Sequence, residues 1–177
     1  MYYDTVPSEG ELEKDSISMV NWNKRVASFD DNRIKENEEL LAVGFLQPEG
    51  ALMKASMSYG IGGIIGMFVG SKMQKRTDEK SRTDRKGMAK DFPGGNIIAA
   101  VTNKNRVIIY EQNALSGKPK KYLKEYTTDD FVSTDLQKRK LAHLLTVNFK
   151  GGGVISFDIA RGQDIETFIE ALATHRR

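Results

Sequence analysis

The chain has 177 residues, 39% of them hydrophobic and 29% charged, with no cysteine; this fits one globular domain with appendages and excludes a disordered or fibrous chain. A core of about 100–150 residues buries roughly two-thirds of its unfolded surface, so stability requires neither disulfide nor metal, and the missing thiols exclude zinc fingers, iron–sulfur ligation and thiol catalysis. The net charge of +3 conceals segregated blocks: residues 1–56 hold 6 basic against 11 acidic residues, residues 57–70 hold neither, residues 71–90 hold 8 against 3, and the remainder 13 against 10.

In chain order, residues 1–14 lack periodicity, contain Pro7 and Gly10, and read as a flexible tail. Their acidic start lacks the basic and then apolar pattern of a secretory leader, so a cytoplasmic protein is expected. Met19, Trp22, Val26 and Phe29 then fall at three-four spacing after Ser16 or Ser18 as N-cap, one stripe of an amphipathic helix that docks on the domain. The apolar run Leu40–Leu46, closed by Pro48-Glu49-Gly50, reads as a buried strand. Strands over Asn96–Thr102 and Arg106–Glu111 pair through Asn103-Lys104-Asn105, because β-branched residues flank a turn whose asparagines tolerate positive φ. A strand through Tyr122, Leu123 and Tyr126 leads to Phe131-Val132, and Leu141–Phe149 forms another. After the Lys150-Gly151-Gly152-Gly153 reversal, Gly153–Ile159 alternates, with Ile155, Phe157 and Ile159 on one face. Ile165, Phe168, Ile169 and Leu172 give the apolar face of a closing helix whose N-terminus suits Asp164 and Glu166.

The apolar strand after Asn37-Glu38-Glu39, the hairpin turn Thr102-Asn103-Lys104-Asn105-Arg106, the run Tyr126–Val132, the paired strands about a Gly turn and the C-terminal amphipathic helix together resemble the bacterial pleckstrin-homology-like (PH-like, GRAM-related) fold over about residues 37–175. The resemblance implies an α+β, mainly antiparallel architecture, a curved sheet or partly open barrel plugged by the last helix. It also implies binding of lipid headgroups, peptides or further copies of the chain rather than catalysis. The domain expectation is accordingly residues 1–36 as tail and amphipathic helix and 37–177 as a PH-like domain, with 51–95 as a Gly-rich apolar and basic insertion where a short loop would serve.

Within that insertion, Ala55–Ser71 is 17 residues without a charge, and Ser58, Gly62, Gly66 and Gly70 recur every four positions. On a helix these make one smooth face of the kind that lets backbones touch, with Ile61, Ile64, Ile65, Met67, Phe68 and Val69 elsewhere on its surface. Such a helix reaches about 25 Å, short of the roughly 30 Å hydrocarbon core, so a span requires thinning or snorkelling by Lys54 and Lys72; lying in the interface is the other membrane geometry. The collar that contains Lys72, Lys75 and Arg76 suits anionic headgroups. Packing in a homo-oligomer or within the protein remains a parallel reading of the glycine face. The expected function is therefore a non-catalytic binding or scaffold module, peripheral at or anchored in the inner face of the membrane or self-associating. The alternative is an adaptor that accepts a partner strand at its sheet edge.

Other chemistries lack their residues. The glycines miss the spacing of a P-loop by one residue and that of the dinucleotide fingerprint likewise, so no cofactor is expected. Two distant histidines, His143 and His175, make no metal site, and His143 reads as a structural side chain hydrogen-bonded at a sheet edge. No nucleophile turn accompanies them, so no catalytic residue is expected. The pI near 9 admits nucleic acid, but the exposed sheet face lacks stacking aromatics. Lys118, Lys120, Lys121 and Lys138-Arg139-Lys140 read as solvated turns, with headgroup capture as their second reading.

Overall fold

The computed structural model describes residues 22–29, 33–52, 85–113 and 116–174. Seven strands form one open antiparallel sheet: β1 (Leu40–Pro48), β2 (Ile97–Thr102), β3 (Arg106–Gln112), β4 (Pro119–Thr127), β5 (Phe131–Gln137), β6 (Ala142–Phe149) and β7 (Val154–Ala160), in the order β4-β3-β2-β1-β7-β6-β5. Helix α1 (Trp22–Ala27) precedes the sheet and helix α2 (Ile165–Thr174) follows it. The architecture is α+β and mainly antiparallel, with a curved sheet and one C-terminal helix.

Strand β1 joins the two halves. It pairs with β2 along Leu40–Leu46, then reaches β7 only through Gln47↔Asp158 and Pro48↔Phe157. Where β1 has no β7 partner, the Gln163 side chain takes over, its Oε1 accepting the Phe45 N–H at 3.2 Å. The stretch from Tyr122 to Val132 is not one strand but two. Between them lies a 3-10 turn, Thr128–Asp130, where Asp130 Oδ2 accepts from the Thr127 N–H (2.8 Å) and hydroxyl (3.0 Å). This corner lets the chain pass from one outer strand of the sheet to the other.

The main core fills the concave side: Leu46, Ile97, Val101 and Ile109 from one half, Leu145, Phe149, Phe157 and Ile159 from the other, and Ile165, Phe168 and Leu172 from α2. Asp164 caps α2, accepting from Thr167 N–H at 3.2 Å and from its hydroxyl at 2.8 Å. The Phe168 ring lies directly on Gly44 of β1; a Cβ there would sit 3.1 Å from the ring. Glycine is the residue that lets the helix approach the strand this closely.

A second cluster lies on the other face of β1–β3, where Val26 of α1 joins Val43, Phe45, Ile98, Ala100, Ile108 and Tyr110. Phe29 meets Tyr110 edge-on with ring centroids 5.5 Å apart. Strand β2 is therefore buried at all six positions, which explains why its sequence is apolar on both faces rather than alternating. Of the stripe expected on the first helix, Val26 and Phe29 do pack against the sheet; Met19 and the Trp22 side chain lie outside the described residues.

One side chain departs in part from its expected setting. His143 pairs with Ile159 of β7 but stands one residue beyond the last β5 pair, Gln137↔Leu144, so one side of it is the rim of the sheet. Its Nδ1 is buried without a hydrogen-bond partner.

Candidate functional site

The residues singled out for membrane or oligomer contact (Gly62, Gly66, Gly70, Ile61, Ile64, Ile65, Phe68) and for headgroups (Lys72, Lys75, Arg76) lie outside the described residues. What the structure provides is the platform on which both ends of their segment are fixed.

On the outgoing side, β1 ends in Pro48-Glu49-Gly50, with Gly50 at φ +80°. The Leu52 N–H then donates to Asp158 Oδ2 at 3.2 Å. Asp158 belongs to the outward set of β7, with Val154 and Ser156, yet it is only 7% exposed. A chain leaving a sheet has backbone donors without ladder partners, and a carboxylate is well suited to accept one.

On the returning side, a 3-10 turn (Gly87–Asp91) seats the chain on the β6–β7 loop. Backbone meets backbone there. A Cβ on Gly87 would come within 2.5 Å of the Gly152 carbonyl oxygen, and one on Gly153 within 2.1 Å of that of Lys86. Ala89 and Phe92 follow into the core, Phe92 packing on Tyr126 (5.2 Å), Phe149 (5.1 Å), Phe157 (5.7 Å) and Phe131 (6.4 Å) between ring centroids. The Tyr126 hydroxyl donates to the Asp91 carbonyl at 3.2 Å, and burial, followed by the charges of Asp91 and Asp130, pushes its pKa above the ordinary phenol value. The last part of the 51–95 stretch is thus core structure, a plug additional to α2.

Replacing Gly153 by Ala is expected to destabilise the protein by about 2–3 kcal/mol, since φ +96° is strained for any residue with a Cβ and the added carbon meets the Lys86 carbonyl. Gly152→Ala, at φ +92° with open space around it, keeps the strain and omits the clash, so it should cost about 1 kcal/mol. Urea melts of the two variants compare them. Equal losses would mean that the insertion does not seat on this loop.

Of the basic collar, Lys86 and Lys90 are exposed, whereas the half-buried Arg85 guanidinium donates to the Phe92 carbonyl at 3.4 Å. Lys150 is exposed on the seat itself. On the β3–β4 hairpin, Lys120 and Lys121 reach Glu111 at 3.0 and 3.3 Å, and the Lys120 hydrogen bond foremost holds that carboxyl below its ordinary range.

The residues that carry the family resemblance serve a structural purpose here. Glu38 is buried beneath the β2–β3 turn, where its carboxylate accepts from the Thr102 hydroxyl at 2.6 Å and the Lys35 N–H at 3.0 Å and pairs with the Arg106 guanidinium. Arg106 also grips Glu125 of β4 with two parallel bonds of 2.7 and 2.6 Å and donates to the Arg33 carbonyl at 3.2 Å. Asn103 Oδ1 accepts the Glu39 N–H at 3.1 Å, and Asn105 takes φ +58°. Burial acts to raise the Glu38 carboxyl, but Thr102, the Lys35 N–H and Arg106 outweigh it and hold the group below the ordinary carboxylate range. The Arg106 hydrogen bonds lower Glu125 likewise. The turn motif thus fastens residues 33–39 to the hairpin through Thr102, Asn103 and Arg106.

Sequence reasoning passed over Asp158 and Phe92. Asp158 hid in an alternating strand whose polar face looked solvated, and Phe92 stood alone at the end of a charged stretch. The three consecutive glycines were a readable signal, being more than a two-strand reversal requires. Among the described residues, no three His, Asp or Glu side chains gather to hold a metal ion, and no helix is long and apolar enough to cross a membrane. No family model, no curated protein and no solved structure matches the chain.

Proposed function

We propose that the chain is a non-catalytic PH-like, GRAM-related module that associates with an anionic membrane at the cytoplasmic face through its 51–90 insertion. Two antiparallel meanders joined through a corner, with one amphipathic helix closing the concave side, support the PH-like assignment. The observation that carries the membrane reading is the double anchorage. A segment in which 17 uncharged residues, Ala55–Ser71, precede a strongly basic collar is tethered at Asp158 on one side and at Gly151–Gly153 and Phe92 on the other. Tethering at both ends restricts where the apolar run can go relative to the rigid sheet, which suits a surface-directed element better than a free tail.

Self-association is the second reading, favoured by the recurrence of Gly62, Gly66 and Gly70 at helical spacing. The adaptor reading ranks below both. Both outer strands carry register shifts, and β4 displays Lys120, Lys121, Lys124 and Glu125, features that discourage an added strand.

Two variants separate the leading readings. Neutralising Lys72, Lys75 and Arg76 with glutamine should weaken sedimentation with anionic vesicles, by up to about 1 kcal/mol per charge and most at low salt, while leaving oligomer mass unchanged. Gly66→Leu should dissociate a close-packed oligomer in light scattering and leave vesicle affinity equal or stronger. A chain that is monomeric and indifferent to vesicles would leave only the adaptor.

A further inference from the structure

The β5–β6 hairpin ends in Lys138, Arg139, Lys140 and Leu141, four consecutive exposed residues. Leu141 is 70% exposed, the most open of the large apolar side chains among the described residues. A lone exposed leucine carries no message; its surroundings do. Arg139 is steered by its Nε bond to Gln137 Oε1 at 2.7 Å, and Arg161, from the turn after β7, donates to the Lys140 carbonyl at 3.0 Å. The Arg161 bond fastens its turn to the hairpin tip that carries the leucine. The neighbouring acids are occupied, Glu166 by Lys138 at 3.0 Å and Asp164 by capping α2.

Position adds a third observation. The insertion leaves the core where Leu52 meets Asp158, and Asp158 pairs with Leu144. The pair Ala142↔Ala160, from which the hairpin tip departs, lies two positions further along the same strands, roughly 7 Å away. The exit of the apolar insertion at Leu52 therefore lies near the strand ends that carry the basic tip, whereas its return on Gly151–Gly153 lies at the other end of β6 and β7.

We propose that the β5–β6 tip is a second membrane contact, in which Leu141 enters the interfacial layer of an anionic bilayer while Arg139, Lys140 and Arg161 meet lipid phosphates. Apolar entry and cationic attraction act together at such surfaces, and neither alone holds a protein there. Two separate contacts fix the orientation of the domain on the membrane, where a single tether would leave it free to swivel. The inference rests on the membrane reading above for its ligand and on separate residues for its site.

The test uses the full chain with vesicles of phosphatidylglycerol and phosphatidylcholine, phosphatidylcholine alone as control, and four variants: Leu141→Ser, Leu141→Trp, the pair Arg139→Gln with Lys140→Gln, and the triple Lys72, Lys75, Arg76 to Gln. Leu141→Ser should weaken partition into anionic vesicles about tenfold, and the Arg139, Lys140 pair about tenfold at low salt and less at high salt. Thermal melts should not move, because these side chains are exposed. The indole introduced by Leu141→Trp should shift its emission to the blue on vesicle addition and be quenched by brominated lipid. Loss of binding in the triple variant alone, with all tip variants silent, overturns this inference and leaves the insertion reading standing. Loss in the tip variants alone upholds the tip and overturns the insertion reading. Weakening by the Arg139, Lys140 pair without any effect at Leu141 overturns the apolar contact and with it the proposal. Failure of the unsubstituted chain to bind, or binding of polyuridylate in place of vesicles, overturns both.

Discussion

Replacing Phe168 by Ala is expected to lower the free energy of unfolding by about 3–5 kcal/mol, the range for removing a buried aromatic ring where the surroundings cannot collapse. Phe168 is 1% exposed, and its ring rests on Gly44 in the middle of β1. The sheet backbone on one side is fixed by β2 and the helix on the other is held by Ile165 and Leu172, both fully buried. Neither wall can move in to fill the space, so the cavity term adds to the lost transfer of the ring from water. Chemical denaturation with an unchanged m-value gives the number directly. A loss below about 1 kcal/mol would mean that α2 does not close this core.

Arg106→Met should be about as severe, near 3–5 kcal/mol at neutral pH, because it removes one partner of a buried ion pair and leaves Glu38 ionised in a site where its side chain is 1% exposed. The pH dependence gives the sign. In the unsubstituted protein the Glu38 and Glu125 carboxyls are held below their ordinary value of 4.5. Their stabilisation is therefore fully present above that value and is lost as pH falls through the lowered folded values. Without the guanidinium, burial is opposed only by the Thr102 and Lys35 hydrogen bonds, so the folded Glu38 value rises relative to the unsubstituted protein. The variant should then lose less, relative to the unsubstituted protein, as the solution is acidified toward pH 4. Adding Glu38→Gln to Arg106→Met should recover part of the neutral-pH loss, since a neutral amide is easier to bury than an unpaired carboxylate. A deficit that is constant from pH 7 to pH 4 would show that Glu38 is not the group left stranded.

How legible these features were depended on whether neighbours in sequence carried them. The β2–β3 hairpin could be read because its β-branched strands and asparagine turn are contiguous, and α2 because its apolar face repeats within ten residues. Strand β5 could not. Its sequence FVSTDLQ is mostly exposed, with Phe131 as its one buried residue, so no periodicity announced it. The Glu38–Arg106–Glu125 cluster joins residues 68 and 19 positions apart, and charge composition does not reveal which of 24 acids meets which of 27 bases. The glycine face at Gly62, Gly66 and Gly70 was legible as spacing alone; the structure contributes the seats at Asp158 and Gly153, which no local pattern marked.

The strand order has a further consequence, for chain entropy. Five of the six strand pairings join neighbours in sequence, and only β1 with β7 does not. Of those neighbours, β1 and β2 alone are far apart, with 48 residues between Pro48 and Ile97. Loop-closure entropy grows only with the logarithm of length, so drawing a tight turn of about four residues out to this length costs roughly 2 kcal/mol. That is less than the single Phe168 ring contributes. A sheet wired in this way can host a long, compositionally foreign segment at one joint while its remaining hairpins close locally and fast. The same arithmetic makes the joint tolerant of other lengths between Leu52 and Arg85, while the seats at Asp158 and Gly153 and the Phe92 plug belong to the platform.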